Sequence, residues 1–102
     1  MFAPLKSLTD CMGYGQDATI SASSGLPSIP TRTKSGLACT PRMAVIQCTG
    51  QNVRWRDDGT APTASVGMTL VVGDTLYYDG DLNAIRFIEV TTTAVLNVSY
   101  YA

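Results

Sequence analysis

The chain has 102 residues, 45% of them hydrophobic and only 15% charged, and its seven Lys+Arg and eight Asp+Glu give a formal net charge of −1. That length fits one domain without room for a second core, and the charge lies well below the roughly 25% usual in soluble domains, as expected of a surface partly covered by other protein. Without a basic excess there is no field to draw in a polyphosphate backbone, so no direct nucleic-acid partner is expected.

Met1 to Leu8 has no basic region followed by an apolar stretch, so no secretory signal is expected. No run approaches the ~18 apolar residues of a membrane span, and no membrane partner is expected. Up to Pro41, Ser, Thr, Gly and Pro dominate; Pro4, Pro27, Pro30 and Pro41 rule out long helices, and Gly13, Gly15, Gly25 and Gly36 mark turns. Apolar residues occur there singly or in short pairs, with no helical period. Residues 1–41 therefore read as an extended, turn-rich N-terminal arm carrying one short strand over Ala18 to Ala22.

Residues 42–102 show short strands separated by turn chemistry. Arg42 to Thr49 is the first, ended by Gly50, and Asn52 to Asp57 alternates, with Val53 and Trp55 facing one way and Arg54 and Arg56 the other. Asp58-Gly59 turns the chain into a loop, Thr60 to Gly67, around Pro62. Met68 to Val72 then runs through Gly73-Asp74 into Thr75 to Asp79, the pattern of a two-residue hairpin. After the turn Asp79-Gly80-Asp81 come Ala84 to Val90 and Thr93 to Tyr101, joined through Thr91-Thr92. In the last strand Ala94, Leu96, Val98 and Tyr100 share a face, while Val95, Asn97, Ser99 and Tyr101 point away.

At least six strands without an intervening helix predict an all-β fold, a small antiparallel β-sandwich or jelly-roll-like barrel with an extended N-terminal arm. A sandwich of roughly sixty residues buries only about 60% of its unfolded surface and is marginal alone. Small domains of this kind lean on disulfides, metals or association. Three cysteines, Cys11, Cys39 and Cys48, form neither an even disulfide set nor a zinc pattern, and there is no His. Reduced thiols, no metal and a homo-oligomer are the expectation, with the arm adding a strand to a neighbour's open edge.

The residues assemble no credible catalytic site. Nucleophilic catalysis needs an activating base, most often His, which is absent. Asp57, Asp58, Asp79 and Asp81 are the paired carboxylates that a glycosidase would need, but the first two adjoin the Gly59 turn and the others flank Gly80, where Asp is the ordinary turn residue. The same turns lack a twelve-residue calcium loop with its terminal Glu and leave at most a weak surface calcium site. No cofactor motif is present: Gly13-Tyr14-Gly15 lacks the third glycine and the helix that a dinucleotide loop requires. Tyr77-Tyr78 and Tyr100-Tyr101 each predict one core and one outward ring, and Trp55 a core residue beneath the Arg-bearing face.

One stretch resembles a known group. Asn52 to Asp81 (NVRWRDDGTAPTASVGMTLVVGDTLYYDGD), continuing through LNAIRFIEV to TAVLNVSYY, is similar to small virion proteins encoded among the head and tail genes of tailed bacteriophages. The shared pattern is an Arg-rich strand, an Asp-Gly-Thr turn, a Pro-Thr loop, a hydrophobic strand, TLxYxGD and a terminal Tyr-Tyr, and it covers the last half of the chain. The resemblance implies a β-sandwich without catalytic residues in a virion assembled in the bacterial host cytoplasm. The expectation is a capsid decoration, or cement, protein binding the major capsid protein through Leu26, Ile29 and Arg32 of the arm and Arg54, Arg56 and Tyr101 of the sandwich. A neck, collar or tail component of the same virion class and a carbohydrate-binding adhesion module using Trp55 or an exposed Tyr stand as alternatives.

Overall fold

A computed structural model describes residues 10–102, which contain seven strands and no helix: β1 (Cys11–Asp17), β2 (Met43–Thr49), β3 (Val53–Arg56), β4 (Met68–Leu70), β5 (Thr75–Tyr78), β6 (Arg86–Glu89) and β7 (Val95–Tyr101). They form two antiparallel sheets, one ordered β1-β7-β2-β5 and the other β4-β3-β6. The second sheet gains an irregular fourth member at residues 20–24. There Ser24 exchanges both backbone hydrogen bonds with Phe87, and Glu89 N donates to Ile20 O.

With 20–24 counted as a degenerate strand, the pairing is nested. The first segment pairs with the last (β1 with β7), the second with the seventh (20–24 with β6), the third with the sixth (β2 with β5) and the fourth with the fifth (β3 with β4). Such a chain is one long hairpin ribbon. Rolling the ribbon sets β7 beside β2 and β6 beside β3, which makes two packed sheets of jelly-roll type. The all-β sandwich expected from the turn-punctuated strand pattern is the observed fold.

Two local expectations need correction. Gly73-Asp74 does not close a hairpin: β4 and β5 lie in different sheets. Asp74 N donates to Val71 O at 3.0 Å and Gly73 has φ +95°, so the positive φ falls at the third turn position, as in a type II turn, whose twist splays flanking strands instead of pairing them. Likewise β6 and β7 cross between sheets. Buried Glu89 holds that crossover, its Oε1 accepting from Ala94 N at 3.1 Å, while Val90 N donates to Asn52 O.

The second correction concerns the arm, of which residues 1–9 lie outside the described part. Within residues 10–41, β1 pairs along its length with β7, and Met12, Ile20 and Leu26 belong to the core. The strand falls on Cys11–Asp17 instead of Ala18 to Ala22, because Gly13 and Gly15 supply inward positions without side chains. A Cβ on Gly15 would meet Pro27 O at 2.6 Å, and one on Gly13 would touch the Pro30 ring. The turn-rich segment thus passes beneath β1, and Tyr100, fully buried, donates its hydroxyl to Pro27 O. The Cα radius of gyration, 13.3 Å, matches the ~13 Å of a compact hundred-residue domain. Pro41 is therefore not a packing boundary.

The core is shared by both sheets and the 20–26 segment. Ile46, Leu96, Val98 and Tyr100 face Val53, Leu70 and Phe87, with Ile20, Leu26, Leu82 and Ile85 filling the ends. Trp55 packs against this cluster edge-on to Tyr78, ring centroids 6.1 Å apart. Tyr78 is the inward ring of its pair and Tyr77 the outward one.

Candidate functional site

The outer faces of the two sheets differ in chemistry. On the three-stranded sheet Arg54, Arg56 and Arg86 project outward together, Arg56 opposite Arg86 in the β3–β6 register. Two of the three are already engaged. Arg54 donates to Ala64 O (3.1 Å), Gly67 O (3.0 Å) and Thr69 Oγ1 (3.0 Å), tying the 57–67 loop to its sheet. Arg56 makes a two-pronged ion pair with Asp58, which holds the Asp58 carboxyl below the usual carboxylate range and raises the guanidinium.

The other expected contact residues are dispersed. Leu26 is 8% exposed and sits in the core, and Ile29 is packed against it. Arg32 is exposed, with its Nη1 donating to Gly36 O within its own loop. Tyr101 is half-buried on the opposite sheet. These six residues form no common surface.

Three of the four turn carboxylates are likewise occupied locally. Asp57 Oδ2 accepts from the Tyr78 hydroxyl at 2.7 Å, Asp58 caps Thr60 N, and Asp81 Oδ1 accepts from Asn83 N at 2.9 Å. Burial, with the Asp57 hydrogen bond and charge adding to it, pushes the Tyr78 phenol upward, and burial alone does so for Tyr100. No group of three or more His, Cys, Asp or Glu among the described residues could hold a metal ion. The three cysteines are free thiols, with buried Cys48 raised by desolvation.

Two surfaces stand out. The first is the β4 edge. An edge strand offers unpaired backbone groups to any passing chain, and proteins guard such edges with charge, Pro, bulges or irregularity. Asp10 precedes and Asp17 closes β1, Asp74 and Asp79 bracket β5, and the 20–24 edge is irregular. Around β4 no charged residue occurs between Asp58 and Asp74. Val66, Met68, Val71 and Val72 stand 51%, 60%, 43% and 44% exposed along it. A cleft of about 380 Å³ opens beside this edge, between Val66, Gly67 and Met68 on one side and Arg56, Asp57 and Asp58 on the other.

The second surface is the outer face of the four-stranded sheet. The register sets Tyr14, Ser99, Val45 and Tyr77 in one row across it, and Gln16, Asn97, Gln47 and Thr75 in the next. Neither row carries a charge. In the first, tall rings stand on the edge strands and short side chains on the central ones, so the sheet forms a trough. A groove of about 170 Å³ lies in it against Tyr14, Val45, Gln47, Asn97 and Ser99. Sequence reasoning placed Asn97 and Ser99 outward and one ring of Tyr77-Tyr78, without saying which, but missed this surface, because it requires β1 beside β7. The alternation Gly13-Tyr14-Gly15-Gln16, small inward and polar outward, was its signal.

Comparison of the chain with protein-family models, with curated proteins and with solved structures returns no match.

Proposed function

We propose that the chain is a structural protein of a tailed-bacteriophage virion, a capsid decoration (cement) protein that binds major capsid protein subunits. It is a non-enzymatic building block, assembled in the host cytoplasm and located on the particle. The observation that carries this reading is the uncharged edge at β4, a strand of three residues flanked by exposed apolar side chains. A partner strand added there would satisfy the open backbone groups and cover Val66, Met68 and Val71, while one of its side chains enters the adjoining cleft. The low charge, the jelly-roll fold and the resemblance over Asn52 to Asp81 and beyond to virion proteins support the same conclusion. This edge takes the place of Leu26, Ile29 and Arg32 of the arm and of Arg54 as the contact, since those residues are engaged within the molecule.

Quantitative mass spectrometry of purified virions tests the assignment. Decoration predicts hundreds of copies per particle and a neck or tail ring about a dozen, following the symmetry of the structure it joins; absence from the particle refutes the virion reading altogether. Met68→Lys, a substitution at an exposed position, should release the protein from particles while leaving its thermal midpoint within a few degrees. Full retention of the Lys variant would exclude the β4 edge as the contact.

A further inference from the structure

We infer that the trough on the four-stranded sheet is a binding site for a neutral oligosaccharide. The inference stands on a different surface from the β4 edge and does not rest on the virion reading.

Three features specify the ligand. First, the two rows that form the trough carry no charge, so nothing there favours an anionic or cationic partner, and a neutral ligand is left without an unpaired charge opposite it. Second, the hydrogen-bonding groups are amides and hydroxyls held in place by one another. Asn97 Oδ1 accepts from Tyr14 Oη at 2.6 Å and from Gln16 Nε2 at 2.9 Å, and Gln47 Nε2 donates to Thr75 Oγ1 at 2.9 Å. With those atoms engaged, Asn97 Nδ2 remains as a donor and Gln47 Oε1 and Gln16 Oε1 as acceptors. That mixed set suits vicinal hydroxyls, each of which both donates and accepts. Third, Tyr14 and Tyr77 stand 61% and 49% exposed on the two edge strands, three strand spacings or about 14 Å apart. Each offers an apolar ring with a polar tip.

Size and edges argue against the alternative occupant, a second copy of this chain. Four strands of at most seven residues give a sheet face of roughly 19 by 23 Å, about half the ~800 Å² that each partner contributes to a standard interface. Asp10 and Asp17 flank β1, and Asp74 and Asp79 flank β5, so both edges of this face carry negative charge, with Arg42 the one cation at its ends. The 170 Å³ groove beside Tyr14 is below the 300–1,000 Å³ typical of small-molecule pockets. It holds one ring of a longer chain, so affinity is to be gained along the trough from successive sugar units. Trp55, partly buried on the other sheet, takes no part.

The test is the full-length chain on an array of neutral gluco-, galacto-, manno- and N-acetylglucosamine oligosaccharides, with sialylated and sulfated glycans as charged controls. Titration of any neutral hit follows, together with analytical ultracentrifugation. The expected result is a neutral hit weakened roughly tenfold or more by Asn97→Ala and by Tyr14→Ala, each removing one anchoring side chain. Tyr14→Phe, which keeps the ring and loses the bond to Asn97, should give an intermediate loss, with thermal midpoints verifying folding. The inference is overturned by no binding to any neutral oligosaccharide, by binding confined to charged glycans, or by undiminished binding in folded Asn97→Ala and Tyr14→Ala proteins. A wild-type dimer that Asn97→Ala converts to monomer would also overturn it, since the face would then be a self-interface.

Discussion

Ile20→Ala tests whether the segment before Pro41 belongs to the folded body. Ile20 is fully buried among both sheets, and its carbonyl accepts from Glu89 N, so truncation leaves a cavity at the point where 20–24 joins the second sheet. Removing a buried Ile side chain to Cβ costs about 2–5 kcal/mol, the spread reflecting how far the site collapses. A domain of this size has about 5–15 kcal/mol in all. Each kcal/mol moves the midpoint by roughly 4–8 °C, so the thermal midpoint should fall on the order of 10–30 °C. Urea unfolding followed by circular dichroism measures the loss directly, and the slope should stay that of the wild type. Deleting residues 1–40 goes further, removing β1 with Met12, Ile20 and Leu26 and stripping the Tyr100 hydroxyl of its Pro27 partner, and should abolish the cooperative transition. A change within about 0.5 kcal/mol for Ile20→Ala, the range of surface substitutions, or a cooperatively folded 41–102 fragment, would refute the reasoning and restore the segment as a dispensable arm.

Alkaline pH should destabilise the protein through Tyr78 and Tyr100. Their folded pKa values are raised above the unfolded value of about 10, so the native state holds protons that the unfolded chain has lost. Stability is fully present below pH 10 and falls above it by about 1.4 kcal/mol per pH unit for each phenol. Thermal midpoints between pH 8 and 11.5 should turn down near pH 10, and less steeply in Tyr78→Phe; equal slopes in the two proteins would remove Tyr78 from the account. Gly50→Ala should cost more than Gly59→Ala. Both have φ near +90°, which carries a backbone penalty of about 1–2 kcal/mol, but a Cβ at Gly50 runs into Thr93 O while one at Gly59 meets open space. Equal losses on denaturant melts would show that the 50–52 and 90–94 turns are not packed together.

What was legible in the sequence followed from period and turn chemistry. The alternation from Ala94 to Tyr101 assigned every inward residue of β7 correctly, and the same rule separated Tyr78 from Tyr77 and Val53 from Arg54. What was not legible depended on partners distant along the chain. Thr75 to Asp79 looks the same whether its turn pairs it with β4 or throws it across to β2, and only the sign of the twist at Gly73 distinguishes them. Residues 18–41 lack a period because the segment buries isolated side chains, Ile20 and Leu26, in the core and lays Pro27 and Pro30 against the glycine positions of β1 instead of presenting a face of its own. A pattern search finds faces and passes over single anchors.

The two candidate surfaces are separated by the way each can recognise a partner. At β4 the recognisable feature is backbone: an open edge with apolar side chains around it accepts any extended strand of suitable shape, and specificity has to come from the cleft lined by Arg56, Asp57 and Met68. On the four-stranded sheet the central backbone groups are consumed by pairing on both sides of β7 and β2, and aspartates bracket the two edges. Strand addition is disfavoured there, so whatever binds must be read by side chains, and the side chains present are phenols, amides and small hydroxyls. In the proposed docking through β4, the uncharged trough on the opposite sheet is left out of the contact.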